Sequence, residues 1–153
     1  MCREMEKILI DQALKARRRA HAPFSHFKVG AALCCKGGRI YTGCNIENPS
    51  MSLSICAERT AMIKAISEGE MDFEIMAIVA DSRSLTYPCG ACRQMIWEFG
   101  PDLQLILANT KGDIKHVALR DLLPEAFEFH PRETGLSQAE ISGRKPDQGK
   151  IAG

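Results

Sequence analysis

Three cysteines and one glutamate carry the chemistry available to this sequence. Cys56-Ala57-Glu58-Arg59 offers a thiolate with a carboxylate two residues on, and Pro88-Cys89-Gly90-Ala91-Cys92 offers two more thiolates at i and i+3. Zn²⁺ accepts such sulfurs tetrahedrally at about 2.3 Å, and three protein ligands leave the fourth position that a catalytic zinc needs. Structural sites usually pair two Cys-x-x-Cys or His elements, and His21, His26 or His116 could complete one here. The first block, however, has a single thiol with an acid beside it. That joint pattern points to a zinc enzyme.

Hydrophobic spacing outlines the elements that must hold these groups. Met5, Ile8, Leu9, Ala13, Leu14 and Ala16 recur at helical spacing between Cys2 and His21, with charges opposite. Phe27 to Cys35 and Arg39 to Asn45 flank a Lys36-Gly37-Gly38 turn and predict a β-hairpin, in which Gly30-Ala31-Ala32 leaves room for a helix. Cys34 and Cys35 are neighbours on one strand and point to opposite faces, so they are not placed to chelate one ion; with Cys44 they read as free thiols. After a loop from Ile46 to Ser54, a helix runs through Ala57, Ala61, Met62, Ala65 and Ile66 toward Gly69, with Ser52 or Ser54 as its cap and Cys56 in its first turn. A buried strand from Ile75 to Ala80 and a loop to Pro88 follow. The next helix, from about Cys89 to Phe99, opens on the second pair of thiols. Free N–H groups and the dipole at both helix starts favour the thiolate, the form that binds metal. Leu103 to Ala108 and Ile114 to Ala118 complete five strands, and Leu119 to Leu123 forms a short helix. This alternation predicts an α/β fold, a five-stranded mixed sheet covered by helices.

With 153 residues the chain is expected to form one domain over 1–129, with a mobile C-terminal tail over 130–153 rich in Gly, Ser, Lys, Gln and Asp. A net charge of +1 provides no field to recruit nucleic acid or a membrane. The basic run from Lys15 to Arg19 would suit RNA, but reads as a solvated helix end. Arg3, Glu4, Glu6, Lys7 and Asp11 interrupt the N-terminal stretch, which therefore reads neither as a signal peptide nor as a membrane span, and a cytoplasmic protein is expected. In a reducing compartment the seven cysteines suit metal ligation or burial better than disulfides.

The blocks Phe24-Ser25-His26-Phe27-Lys28-Val29-Gly30-Ala31-Ala32-Leu33, Gly43-Cys44-Asn45-Ile46-Glu47-Asn48, Cys56-Ala57-Glu58-Arg59-Thr60-Ala61, Pro88-Cys89-Gly90-Ala91-Cys92-Arg93-Gln94 and Leu122-Leu123-Pro124 come in an order that resembles the small homotetrameric zinc-dependent cytidine deaminases. The first metal block carries Cys where the wider zinc deaminase signature carries His, with a Glu that is not a ligand. The resemblance implies a three-layer α/β/α cytidine deaminase-like fold and a Zn²⁺ cofactor held by Cys56, Cys89 and Cys92. It implies hydrolysis of cytidine and 2′-deoxycytidine to uridine and 2′-deoxyuridine plus ammonia in pyrimidine salvage, with zinc-activated water attacking C4 and Glu58 shuttling protons. It also implies Arg59 as a charge-balancing neighbour of the sulfurs, Gln94 in support of the same centre, and Ala57 in the substrate pocket. Asn45 and Glu47 would hold the ribose 3′-hydroxyl, Phe27 would pack on the base, and Phe127 would reach a neighbouring subunit of a homotetramer.

A carboxylate at a 3′-oxygen accepts a bond from a free hydroxyl and repels a phosphodiester, so the expected partner is a cytosine nucleoside and not a nucleic acid. The chain departs from the family at Met51, where Tyr is common; the change bears on contacts near the ribose or across subunits and leaves the metal chemistry untouched. Three alternatives stand beside this reading: a deaminase of another cytosine nucleoside such as a blasticidin S type antibiotic, an RNA-binding or editing protein using Arg17, Arg18 and Arg19, and a noncatalytic zinc-stabilised scaffold.

Overall fold

Alternate residues of the central strands enter two separate cores, and helices cover both. The computed structural model describes residues 3–128, so the expected tail over 130–153 lies outside the described residues. In chain order the elements are α1 (Arg3–Arg17), β1 (Val29–Cys35), β2 (Ile40–Cys44), a 3-10 turn (Met51–Leu53), α2 (Ala57–Ser67), β3 (Phe73–Ala80), α3 (Gly90–Phe99), β4 (Gln104–Asn109), β5 (Ile114–Ala118) and α4 (Leu119–Leu122). The strands form one sheet in the order β2-β1-β3-β4-β5. Strands β3 and β4 run parallel and the other neighbours antiparallel, which is the mixed sheet the alternation predicted.

On one face Met76 and Ile78 of β3 pack with Leu105 and Leu107 of β4, beneath Ala61, Met62 and Ala65 of α2 and Ile96 of α3. On the other face Ile75, Ala77 and Val79 pack with Ile106 and Ala108 beneath Leu9 and Ala13 of α1. Each large side chain buried in this way contributes about 1.5–3 kcal/mol, which is why β3 and β4 are apolar on both sides. Cys35 enters the first core and Cys34 the second, as adjacent strand positions require.

Two glycines let the helices touch the sheet. A methyl group on Gly30 would stand 1.9 Å from the Ala13 carbonyl oxygen of α1, and one on Gly43 would stand 2.3 Å from the Ala57 carbonyl oxygen of α2. No side chain fits at either point. The room expected beside Gly30 is taken by α1, and Gly43 seats the first turn of α2 on β2.

Three local features differ from the hydrophobic reading. Strand β1 begins at Val29, because side chains of Asn45 and Arg17 take the carbonyls of Phe27 and Lys28 before any strand can. Helix α1 ends at Arg17, and His21 instead bridges to Ile46. Neither Ser52 nor Ser54 caps α2. Cys56 is its N-cap, with extended backbone at φ −74° and ψ 157°. Ser52 lies in the 3-10 turn, and the Ser54 hydroxyl accepts from Asn48 N at 3.0 Å.

Candidate active site

Cys56 and Cys89 hold equivalent places, each the N-cap of its helix and neither making a side-chain cap bond. Neither thiol is thus spent on capping, and both stand at the positive end of a helix dipole. Cys92, one turn into α3, is fully buried. The three Sγ atoms lie within 4.8 Å of one another, and those of Cys56 and Cys89 are 3.8 Å apart. Two thiolates sharing a tetrahedral Zn²⁺ with bonds of about 2.3 Å stand about 3.8 Å apart, so donor type and spacing both fit the ion. Among the described residues no His, Asp or Glu donor joins the cluster, and His116 lies against Glu6 at 2.5 Å instead.

Electrostatics favour the same use. A hydrogen bond from Cys92 leads in pulling the Cys56 thiol down to about 5, helped by Arg59 and Cys89 against the cost of burial. The same contact drives the Cys92 thiol upward. Glu58, in the first turn of α2, is only 4% exposed. Burial pushes its carboxyl up to about 7, and the negative Cys56 adds to the effect while Cys92 and Arg59 oppose it. A carboxyl so placed can take and return a proton near neutral pH. Burial works against the Arg59 cation, but its bond to Cys56 and the charges of Cys92 and Cys56 outweigh that. One Arg59 nitrogen donates to the Ser54 carbonyl at 3.1 Å, and its buried Nε has no hydrogen-bond partner among the described residues. A buried cationic donor beside sulfurs suits a centre with excess negative charge.

The residues expected to read a sugar lie together in the loops before β1 and after β2. The Asn45 side chain donates to the Phe27 carbonyl and accepts from Val29 N, both at 2.8 Å. Glu47 Oε2 accepts from Phe24 N at 2.9 Å and Ser25 N at 3.2 Å, while its Oε1 accepts from the Ser25 hydroxyl. The Phe27 ring they flank is 40% exposed.

Residues 3–107 match the family model for the cytidine and deoxycytidylate deaminase zinc-binding region. The chain belongs to this family. A cytidine deaminase of Sporosarcina psychrophila is 50% identical over 125 residues, covering 81% of this chain and 91% of that protein. One from Halalkalibacterium halodurans is 48% identical over 122 residues, covering 79% and 92%. Among solved structures, cytidine deaminase from Burkholderia pseudomallei superposes with a TM-score of 0.78 at 44% identity, over 83% of this chain and all of that one. The fold is therefore that of the cytidine deaminases, and the cofactor type is zinc. No helix among the described residues is long and apolar enough to cross a membrane.

The remaining expected residues of this deaminase family member occupy different settings. Ala57 is fully buried, which leaves its main chain as what it can present to a ligand. Gln94 donates to the Phe127 carbonyl at 2.8 Å, tying the segment after α4 to α3. The Phe127 ring is 69% exposed rather than packed in the core. Arg17, expected in a solvated basic run, instead donates to the Lys28 carbonyl at 3.0 Å and pairs with Asp81 at 3.5 Å.

Two contributors escaped the sequence reading. Arg93 donates to the Pro88 carbonyl and the Leu122 carbonyl, both at 2.8 Å, bracing the turn that presents Cys89. Its place directly after Cys92 was the available signal. Ser25 joins Glu47 to Phe27, and nothing in its local sequence marks that role.

Proposed function

We propose that this chain hydrolyses cytidine and 2′-deoxycytidine, consuming one water and releasing uridine or 2′-deoxyuridine and ammonia. The observation that carries this reading is the Glu58 carboxyl, 4% exposed, beside three clustered thiols. Cys56, Cys89 and Cys92 would hold Zn²⁺, which when bound supplies the Lewis acidity that makes water nucleophilic near neutral pH. Glu58 takes a proton from that water and delivers it to N3 of the pyrimidine. As the water oxygen bonds to C4, Glu58 carries that oxygen's remaining proton to the C4 amino nitrogen; the C4–N bond then breaks, ammonia leaves and a C4 carbonyl remains. Arg59 offsets the excess negative charge of three thiolates.

Phe27 offers its exposed ring to the base. Asn45 retains one amide N–H and one lone pair, and Glu47 retains one of its roughly four lone pairs. Together they match one hydroxyl that accepts from the amide and donates to the carboxylate, as a free 3′-hydroxyl does. A 3′-phosphodiester has no proton to give, which favours free nucleosides over nucleic acids.

The same reading includes a cytoplasmic role in pyrimidine salvage and a homotetrameric assembly. Assembly draws support from Phe24, Met51, Leu53 and Phe127, large apolar side chains that another subunit would cover. Loss of cytidine absorbance on incubation with purified protein tests the activity, with Glu58→Gln as control and blasticidin S as competing substrate. Absent turnover of cytidine overturns the reading. Sedimentation equilibrium tests the tetramer.

A further inference from the structure

The segment from Phe24 to Val29 lies outside the sheet until its last residue, and it turns through His26 in the left-handed region at φ +56°. Few residues with a side chain adopt that backbone, His more readily than most, and contacts around the turn help to hold it. Here His26 N donates to the Ala22 carbonyl at 3.1 Å, and four side chains add restraints. Arg17 Nε donates to the Lys28 carbonyl at 3.0 Å, and Asn45 bridges the Phe27 carbonyl and Val29 N. Glu47 gathers Phe24 N, Ser25 N and the Ser25 hydroxyl. Ser25 completes the chain of contacts, because its Oγ accepts from Phe27 N at 3.0 Å while its proton goes to Glu47.

We infer that Ser25 is a positioning residue whose hydroxyl links the Glu47 carboxylate to the main chain of Phe27, so that the sugar-facing and base-facing walls of the pocket are set as one unit. The inference rests on the pocket assignment proposed above. It follows from valence: only a group that accepts and donates at once can join an N–H to a carboxylate. Alanine does neither. Threonine does both, and cysteine does both weakly.

The test uses the full-length zinc-loaded protein and the variants Ser25→Ala, Ser25→Thr, Ser25→Cys, Glu47→Gln and the Ser25→Ala/Glu47→Gln double variant. Ser25→Ala should raise KM for cytidine about ten-fold with kcat changed less than about two-fold, as expected for a lost bond to a charged group on a ligand-binding wall. Ser25→Thr should restore KM, Ser25→Cys should fall between, and Ser25→Ala should add little to Glu47→Gln, since coupled residues are non-additive. Amide exchange measured by NMR gives a readout independent of turnover: the Phe27 amide should lose protection in Ser25→Ala and keep it in Ser25→Thr. Should Ser25→Ala not fold, Ser25→Cys carries both measurements. Unchanged KM, additive penalties or an equally protected Phe27 amide would overturn the inference. If the wild type leaves cytidine intact, the proposed activity fails by itself, and the Phe27 amide still decides whether Ser25 holds this wall.

Discussion

Cys56 and Cys89 are 33 positions apart in the chain, yet their Sγ atoms lie 3.8 Å from each other. They meet because α2 and α3 pack on the same face of the sheet with their starts at one end, and each cysteine is the residue just before its helix. A cap position leaves the side chain free of the helix surface while the helix fixes its backbone. Cys92 then completes the cluster from within α3.

Removing any one thiol should therefore abolish stable zinc binding. Cys89→Ala is the cleanest choice, because Cys89 is exposed and its loss leaves no cavity. Metal analysis after dialysis should fall from about one zinc per chain to well below that, since two thiolates hold the ion poorly. Retention of stoichiometric zinc would count against the cluster.

Glu58→Gln keeps the shape of the side chain and removes its ability to carry a proton. Zinc content should match wild type, while kcat for cytidine falls by at least about 10²–10⁴, the usual worth of a positioned acid–base group. A variant with normal zinc and near-normal kcat would remove Glu58 from the mechanism.

Gly43 and Gly30 make a paired test of what each helix does. Alanine at either position meets helix backbone, 2.3 Å from the Ala57 carbonyl oxygen or 1.9 Å from that of Ala13. Each should cost about 1–3 kcal/mol in urea unfolding, the usual range for overpacking. Only Gly43→Ala should also speed zinc loss to a chelator, because α2 follows directly on Cys56 whereas α1 carries no ligand.

Arg93→Ala strips a donor from the Pro88 and Leu122 carbonyls, which Arg93 holds at 2.8 Å each. Stability should drop by about 1–3 kcal/mol. Chelator-driven zinc release should also accelerate, because Pro88 precedes Cys89. Arg93→Lys should rescue little, as an ammonium lacks the planar fork that spans two carbonyls.

Glu47 links pH to stability. The Ser25 hydroxyl leads in holding its carboxyl below the usual carboxylate range; the cost of burial opposes it, and the Phe24 and Ser25 N–H groups add to the lowering. A depressed folded-state pKa contributes stability that is fully present above the unfolded value of about 4.3 and is lost as pH falls through the folded value. Melting temperatures of wild type and Glu47→Gln should accordingly differ at about pH 6–7, and the gap should narrow progressively as pH falls below about 4.3. Parallel curves across that range would show that the carboxylate contributes nothing through these bonds.

What could be read directly from the residues was local. The thiols with their adjacent acid, the apolar runs of β3 and β4 and the helical spacing in α1 depend on neighbours a few positions apart, and periodicity records such neighbours faithfully. Even Gly30 signalled its close approach, because a small residue inside an apolar strand has few other uses. Tertiary structure alone decided the rest. Spacing showed two thiol-bearing blocks, but only the packing of α2 beside α3 brings them within reach of one ion. Asn45, Glu47 and Arg17 sit 16 to 23, or 11, positions from the main-chain groups they engage. Such bonds between a side chain and distant backbone follow the path of a loop, which no pattern of hydrophobic residues encodes. Ser25 was silent in the sequence for that reason, Arg93 was marked only by its place after Cys92, and the N-cap of α2 went to Cys56 because the fold needed its backbone there while leaving its sulfur free.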